Sequence, residues 1–99
     1  MTFEAFIEEI KRLYKPEQLI LFGSRAQGVP KEGKESSYDI LIVSNAFKGI
    51  PYTDRMTPIF KLWEMEEDLG CFCLTPLEFE LLKGKISLIA KIIKEGVPL

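Results

Sequence analysis

Gln18-Leu19-Ile20-Leu21-Phe22-Gly23-Ser24-Arg25-Ala26-Gln27-Gly28 is an apolar run that breaks at a Gly-Ser pair. Nine residues after Gly28 a second run begins, Ser37-Tyr38-Asp39-Ile40-Leu41-Ile42-Val43-Ser44. Each run is short, rich in branched or aromatic side chains and bounded by turn formers, which predicts two buried strands, Gln18–Phe22 and Tyr38–Ser44. A helical turn through Arg25, Ala26 and Gln27 is expected to follow the first strand and end at Gly28. Such a break exposes backbone N–H groups at a helix N-terminus beside the Ser24 hydroxyl, a donor set suited to phosphate. Gly23 lets the backbone approach a ligand closely. The Gly-x-x-x-x-Gly spacing is not a P-loop, because Val29-Pro30 stands where Lys-Ser/Thr is required. Taken alone, the segment reads simply as a tight strand-to-helix turn.

Outward from this pair the periodicity is helical. Phe3, Phe6, Ile7, Ile10, Leu13 and Tyr14 form one stripe capped by Thr2 and stopped by Pro16. Val29 to Ser36 is expected to be a solvated loop, with Lys31 and Lys34 as its charges. A helix is expected from after Pro51 to about Leu69, with Thr57-Pro58 as its alternative cap and first turn. Glu66 and Glu67 then fall at a solvated helix end. Cys71 to Leu74 reads as a third strand, and Thr75-Pro76-Leu77-Glu78 is a capping box opening a helix that stops near Gly84. A last helix covers Ile86 to Lys94, and Val97 to Leu99 can add an edge strand. The order is αβαβαβαα, a mixed α/β domain with a small sheet covered by helices.

Composition narrows the chemistry. Ninety-nine residues make one domain, 1–99, and 46% apolar with 28% charged residues is ordinary globular usage. A net charge of −2 argues against a long nucleic acid as partner but not against a local phosphate pocket. Without histidine, Ser-His-Asp and Cys-His nucleophiles and His-based zinc sites are excluded. Cys71 and Cys73 are too close along one strand for an undistorted disulfide and read as reduced core residues of a cytoplasmic chain. No apolar run reaches 18 residues, so no membrane span is expected. The Trp63 stripe is core packing or a homodimer face.

Gly23-Ser24-Arg25-Ala26-x-Gly28, a short loop and Asp39 within an apolar strand resemble the minimal nucleotidyltransferase family of the DNA polymerase β-like superfamily. There, Gly-Ser-Arg-Ala-x-Gly is followed by Ser-Asp-x-Asp-Leu. Phe47-Lys48-Gly49-Ile50-Pro51, Arg55-Met56, Lys61-Leu62-Trp63 and Leu74-Thr75-Pro76-Leu77-Glu78-Phe79-Glu80 are similar to stretches of the same proteins, so the resemblance spans nearly the whole chain. It implies a nucleotidyltransferase-like fold. It also implies transfer of a nucleoside monophosphate from a nucleoside triphosphate such as ATP to a hydroxyl on a protein or small molecule. Gly23, Ser24 and Arg25 would then bind the nucleotide and Asp39 would hold magnesium as the catalytic carboxylate.

In that family three carboxylates hold two metal ions, which bracket the attacking and leaving oxygens. Two of them sit at i and i+2 of one strand, on one face. Here Asp39 holds the second of these positions, but Ser37 holds the first, and the register from Thr75-Pro76 puts Gly70 at the third. Asp68 lies about 6.6 Å further back along an extended strand. One carboxylate with substrate phosphates can still bind a single Mg2+. Arg25 is expected either to contact phosphate or to pair with a neighbouring carboxylate. The alternative function is a non-catalytic module that binds nucleotide or a partner. For the partner, the resemblance implies an antitoxin-like half of a toxin–antitoxin pair with a HEPN-type helical protein.

Overall fold

Thr2 accepts a hydrogen bond from the Ala5 N–H at 3.1 Å and starts helix α1, Phe3–Tyr14. The helix ends at Lys15, whose left-handed conformation (φ 43°) turns the chain into Pro16. From there strand β1, Gln18–Phe22, runs to Gly23. The computed structural model describes residues 1–27 and 37–99; the expected loop Val29 to Ser36, with Lys31 and Lys34, and the expected stop at Gly28 lie outside those residues. Strand β2, Tyr38–Val43, is followed by a 3-10 turn at Asn45–Phe47 and helix α2, Tyr52–Leu62. Strand β3, Leu69–Leu74, leads into α3, Pro76–Leu82, then α4, Ser87–Glu95, and a two-residue strand β4, Val97–Pro98.

The sheet order is β3-β2-β1-β4. β1 pairs antiparallel with both β2 and β4, and β2 pairs parallel with β3. The parallel pair requires a crossover, which α2 provides. Because strand side chains alternate, the two faces bury different helices. Ile40, Ile42, Cys71 and Cys73 pack with Phe6, Ile7 and Ile10 of α1 and Ile59 of α2. Leu41, Val43 and Leu74 pack with Phe79 of α3 and Ile89 and Ile92 of α4. The result is a mixed sheet between two helical layers, as expected, but the expected αβαβαβαα order is corrected: among the described residues no helix separates β1 from β2, and β4 closes the chain.

Three local expectations are corrected. Helix α2 ends at Leu62 rather than near Leu69. Trp63 turns extended (φ −81°, ψ 120°) and its indole N–H donates to the Glu67 carbonyl at 2.7 Å. That turn places the indole edge-on to Phe6, with ring centroids 4.8 Å apart, and against Phe3 and Tyr38. Burying the aromatic ring outweighs the helix-compatible composition of Glu64 to Glu67. Pro58 lies inside α2 rather than at its start, where its missing N–H leaves the Asp54 carbonyl without its usual helical donor. Glu66 and Glu67 follow this turn instead of closing a helix.

The Thr75 capping box is present as expected. The Thr75 hydroxyl accepts from the Glu78 N–H at 3.2 Å, and the Glu78 carboxylate accepts from the Thr75 N–H at 2.8 Å. Glu78 also pairs with Arg55 of α2, which is only 6% exposed and donates to the Cys73 carbonyl at 3.0 Å. A buried guanidinium needs such partners. Arg55 holds the Glu78 carboxyl well below the usual carboxylate range, at about 2. Cys71 and Cys73 are free and buried, with sulfurs 3.4 Å apart, and this contact with burial pushes the Cys71 thiol far up.

Candidate functional site

The C-terminal end of β1 and the N-terminal ends of β2 and β3 meet at one edge of the sheet. Their register sets Phe22 opposite Asp39 and Asp39 opposite Gly70. Asp39 therefore stands centrally on the face that α3 and α4 cover further along. The Ser37 hydroxyl donates to its carboxylate at 3.3 and 3.2 Å.

The two glycines beside it make room for that carboxylate. A Cβ added to Gly70 would lie 2.4 Å from Asp39 Oδ1, and one added to Gly23 would lie 2.7 Å from Oδ2. Gly23 also has a φ of 79°, a conformation that side chains with a Cβ rarely adopt. Both glycines are thus fitted to the Asp39 side chain.

Ser24 to Gln27 form a turn rather than a regular helix. The Gly23 carbonyl accepts from the Ala26 N–H at 3.1 Å and from the Gln27 N–H at 3.3 Å. One turn carries less of the dipole that a helix N-terminus would offer, so the donor set rests on the turn itself and on Ser24.

Arg25 goes elsewhere. Tyr38 and Asp39 are consecutive in β2 and point to opposite faces. The Tyr38 ring stacks on Phe3 with centroids 4.4 Å apart, and the Arg25 guanidinium lies over that ring, 3.9 Å from its centre. Arg25 also pairs with Glu67 at 3.7 Å. Of the two readings of Arg25, the structure displays the pairing with a carboxylate. Glu67 is the partner that sequence reasoning missed, because it reaches Arg25 only once α2 has ended early.

Asp68 does not join Asp39. It precedes β3, is exposed, and contributes its carbonyl, which accepts from the Tyr38 N–H at 2.8 Å. Among the described residues no group of three or more His, Cys, Asp or Glu side chains could hold a metal ion. Among the described residues the side-chain donors at this end of the sheet are one carboxylate and one hydroxyl, with Gly70 adding none, which does not fit a two-metal centre. A single Mg2+ shared between Asp39 and substrate phosphates does fit.

A cavity of about 250 Å3 lies between the end of β1 and α4. Phe22, Gly23 and Gln27 line one side, and Leu88, Lys91, Ile92 and Glu95 the other. No helix among the described residues is long and apolar enough to cross a membrane.

Comparison with solved structures supports the fold. A candidate nucleotidyltransferase from Sulfolobus solfataricus superposes with a TM-score of 0.64 at 23% identity, covering 96% of this chain and 73% of that one. BolA1 from Arabidopsis thaliana matches with a TM-score of 0.60 at 21% identity, and the BolA domain of SufE1 from the same plant with 0.58 at 24%. Each of these two covers 76% of this chain and 92% of its own. Proteins of different kinds thus share this helix-and-sheet core, and the likeness speaks for fold alone. No curated protein matches the chain significantly. The family model for the nucleotidyltransferase domain matches residues 4–98, and with that match this chain belongs to the nucleotidyltransferase domain family.

Proposed function

We propose that this chain binds a nucleoside triphosphate with a single divalent cation at Asp39 and does not by itself transfer the nucleotidyl group. The observation that carries the reading is the pairing of Asp39 with Gly70 across β2 and β3. It sets a glycine opposite the one carboxylate, while Ser37 occupies the position two residues before it. Family membership supports a nucleotide as ligand. Asp39 would share Mg2+ with phosphate oxygens, and the Gly23-Ser24 turn would supply backbone and hydroxyl donors to the phosphates. Among the described residues the second ion, which would activate an acceptor hydroxyl, lacks its carboxylates, so no transfer step is assigned to these residues.

Calorimetric titration with ATP and GTP, with and without magnesium, tests the reading. Binding should require magnesium, vanish in Asp39→Asn and weaken in Ser24→Ala. Absence of binding under every condition, or an Asp39→Asn variant that binds like the parent, would overturn it.

One observation favours a second reading, a partner-binding module. Leu77 and Leu81, four residues apart on α3, are 67% and 53% exposed. A helical protein of the HEPN type, or a second copy of this chain, could cover them. Light scattering of the chain alone, then with such a protein co-expressed, separates these cases from a monomer that needs no partner.

A further inference from the structure

We infer that the cavity between β1 and α4 is a nucleobase pocket whose rim favours guanine over adenine; this rests on the triphosphate reading above. The cavity shares its walls with the Asp39 site. Phe22 is the register partner of Asp39, and Gly23 is the residue whose missing Cβ makes room for Asp39 Oδ2. A triphosphate held at Asp39 and the Gly23-Ser24 turn would leave its nucleoside beside this opening. Two other clefts lie along α1 and contain neither Phe22 nor Gly23.

Size and lining suit a base. About 250 Å3 falls just below the range of drug-sized ligand pockets, roughly 300–1,000 Å3. Leu88, Ile92 and Glu95 follow at i, i+4 and i+7 and form one stripe of α4 facing β1. Ile92 is buried, and Phe22 stacks nearly parallel on Phe72 with centroids 5.9 Å apart, which fixes an aromatic wall. Aromatic rings of this kind serve as stacking surfaces for bases.

The rim supplies the discrimination. The Gln27 amide N–H donates to Glu95 Oε1 at 3.3 Å, joining residues 68 positions apart. This bond orients the carboxylate and leaves its other lone pairs, with the Gln27 carbonyl, as acceptors. Lys91, one turn before Glu95 on α4, is the donor. Guanine presents two neighbouring N–H donors, N1–H and the N2 amino group, beside the O6 acceptor. A carboxylate can accept from both donors at once, a charge-assisted pair. Adenine offers one amino donor beside the N1 lone pair, which would face the carboxylate unsatisfied.

Calorimetry with GTP, ATP and inorganic tripolyphosphate, each with magnesium, tests the inference on the parent and on Glu95→Gln. GTP should bind about tenfold more tightly than ATP, the effect of one good charge-assisted hydrogen bond. The preference should fall to about one in Glu95→Gln, where an amide donor replaces one acceptor oxygen. Equal GTP and ATP affinities in the parent, or an unchanged ratio in Glu95→Gln, would overturn the guanine pocket. Tripolyphosphate binding as tightly as GTP would overturn the base pocket while the triphosphate reading stands. Binding of none of the three would remove both.

Discussion

Replacing Gly70 with alanine tests the contact that defines the site. The new Cβ would fall 2.4 Å from Asp39 Oδ1, far inside contact distance, but against the end of a short side chain that can rotate. The carboxylate must then leave the Ser37 hydroxyl, with which it shares bonds of 3.3 and 3.2 Å. Two long bonds to one hydroxyl amount to a single hydrogen bond, worth about 1 kcal/mol net. Against this, alanine is better than glycine inside a strand by roughly 0.5–1 kcal/mol. The substitution should therefore be nearly neutral or mildly destabilising while Asp39 is present. In an Asp39→Ala background the obstacle is gone, and the same change should stabilise by roughly 0.5–1 kcal/mol. The coupling between the two sites is thus about 1 kcal/mol. Urea denaturation of the parent, both single variants and the double variant measures it, and for a chain this size it corresponds to roughly 4–8 °C in Tm. Additivity within about 0.5 kcal/mol would mean that Asp39 and Gly70 do not face each other, and the site as described would fall.

Other outcomes follow from the same contacts. Gly23→Ala should destabilise by about 1–2 kcal/mol, from its positive φ and the crowding of Asp39 Oδ2, as read by thermal melting. The depressed Glu78 carboxyl contributes stability at neutral pH that is lost as pH falls from about 4.5 through about 2. Because Glu78 is 38% exposed, screening reduces this to about 1 kcal/mol, and Glu78→Gln should flatten the parent's loss of stability over that window. Maleimide or disulfide reagents at neutral pH should modify Cys71 and Cys73 only as fast as the chain unfolds, since both are buried and the Cys71 thiol is pushed up by its contact with Cys73 and by burial. Rapid labelling of the folded chain would contradict the buried pair.

How far the sequence reached depended on how local each cause is. The Thr75-Pro76-Leu77-Glu78 cap is decided within four residues, so its position was readable directly; with the family resemblance, counting back from it put Gly70 at the third carboxylate position, and the structure adds that Gly70 pairs with Asp39. The end of α2 was not readable. Glu64 to Glu67 are compatible with helix, and only the fit of Trp63 among Phe3, Phe6 and Tyr38 shows why the helix stops at Leu62. That turn in turn hid the Arg25–Glu67 pair. The Gln27–Glu95 bond joins residues 68 positions apart, and no spacing rule connects them. Tyr38 and Asp39 show the same limit at one strand: alternation predicts opposite faces, but which face draws Arg25 depends on the aromatic cluster.

Among the described residues the site holds one carboxylate, Asp39, where a two-metal transfer site of this family uses three. Counting bound manganese ions by electron spin resonance, in the presence of a methylene-bridged triphosphate analogue, tests that directly. The parent should hold one ion per chain, and Ser37→Asp combined with Gly70→Asp should hold two. Two ions in the parent, or only one in the double variant, would contradict the account.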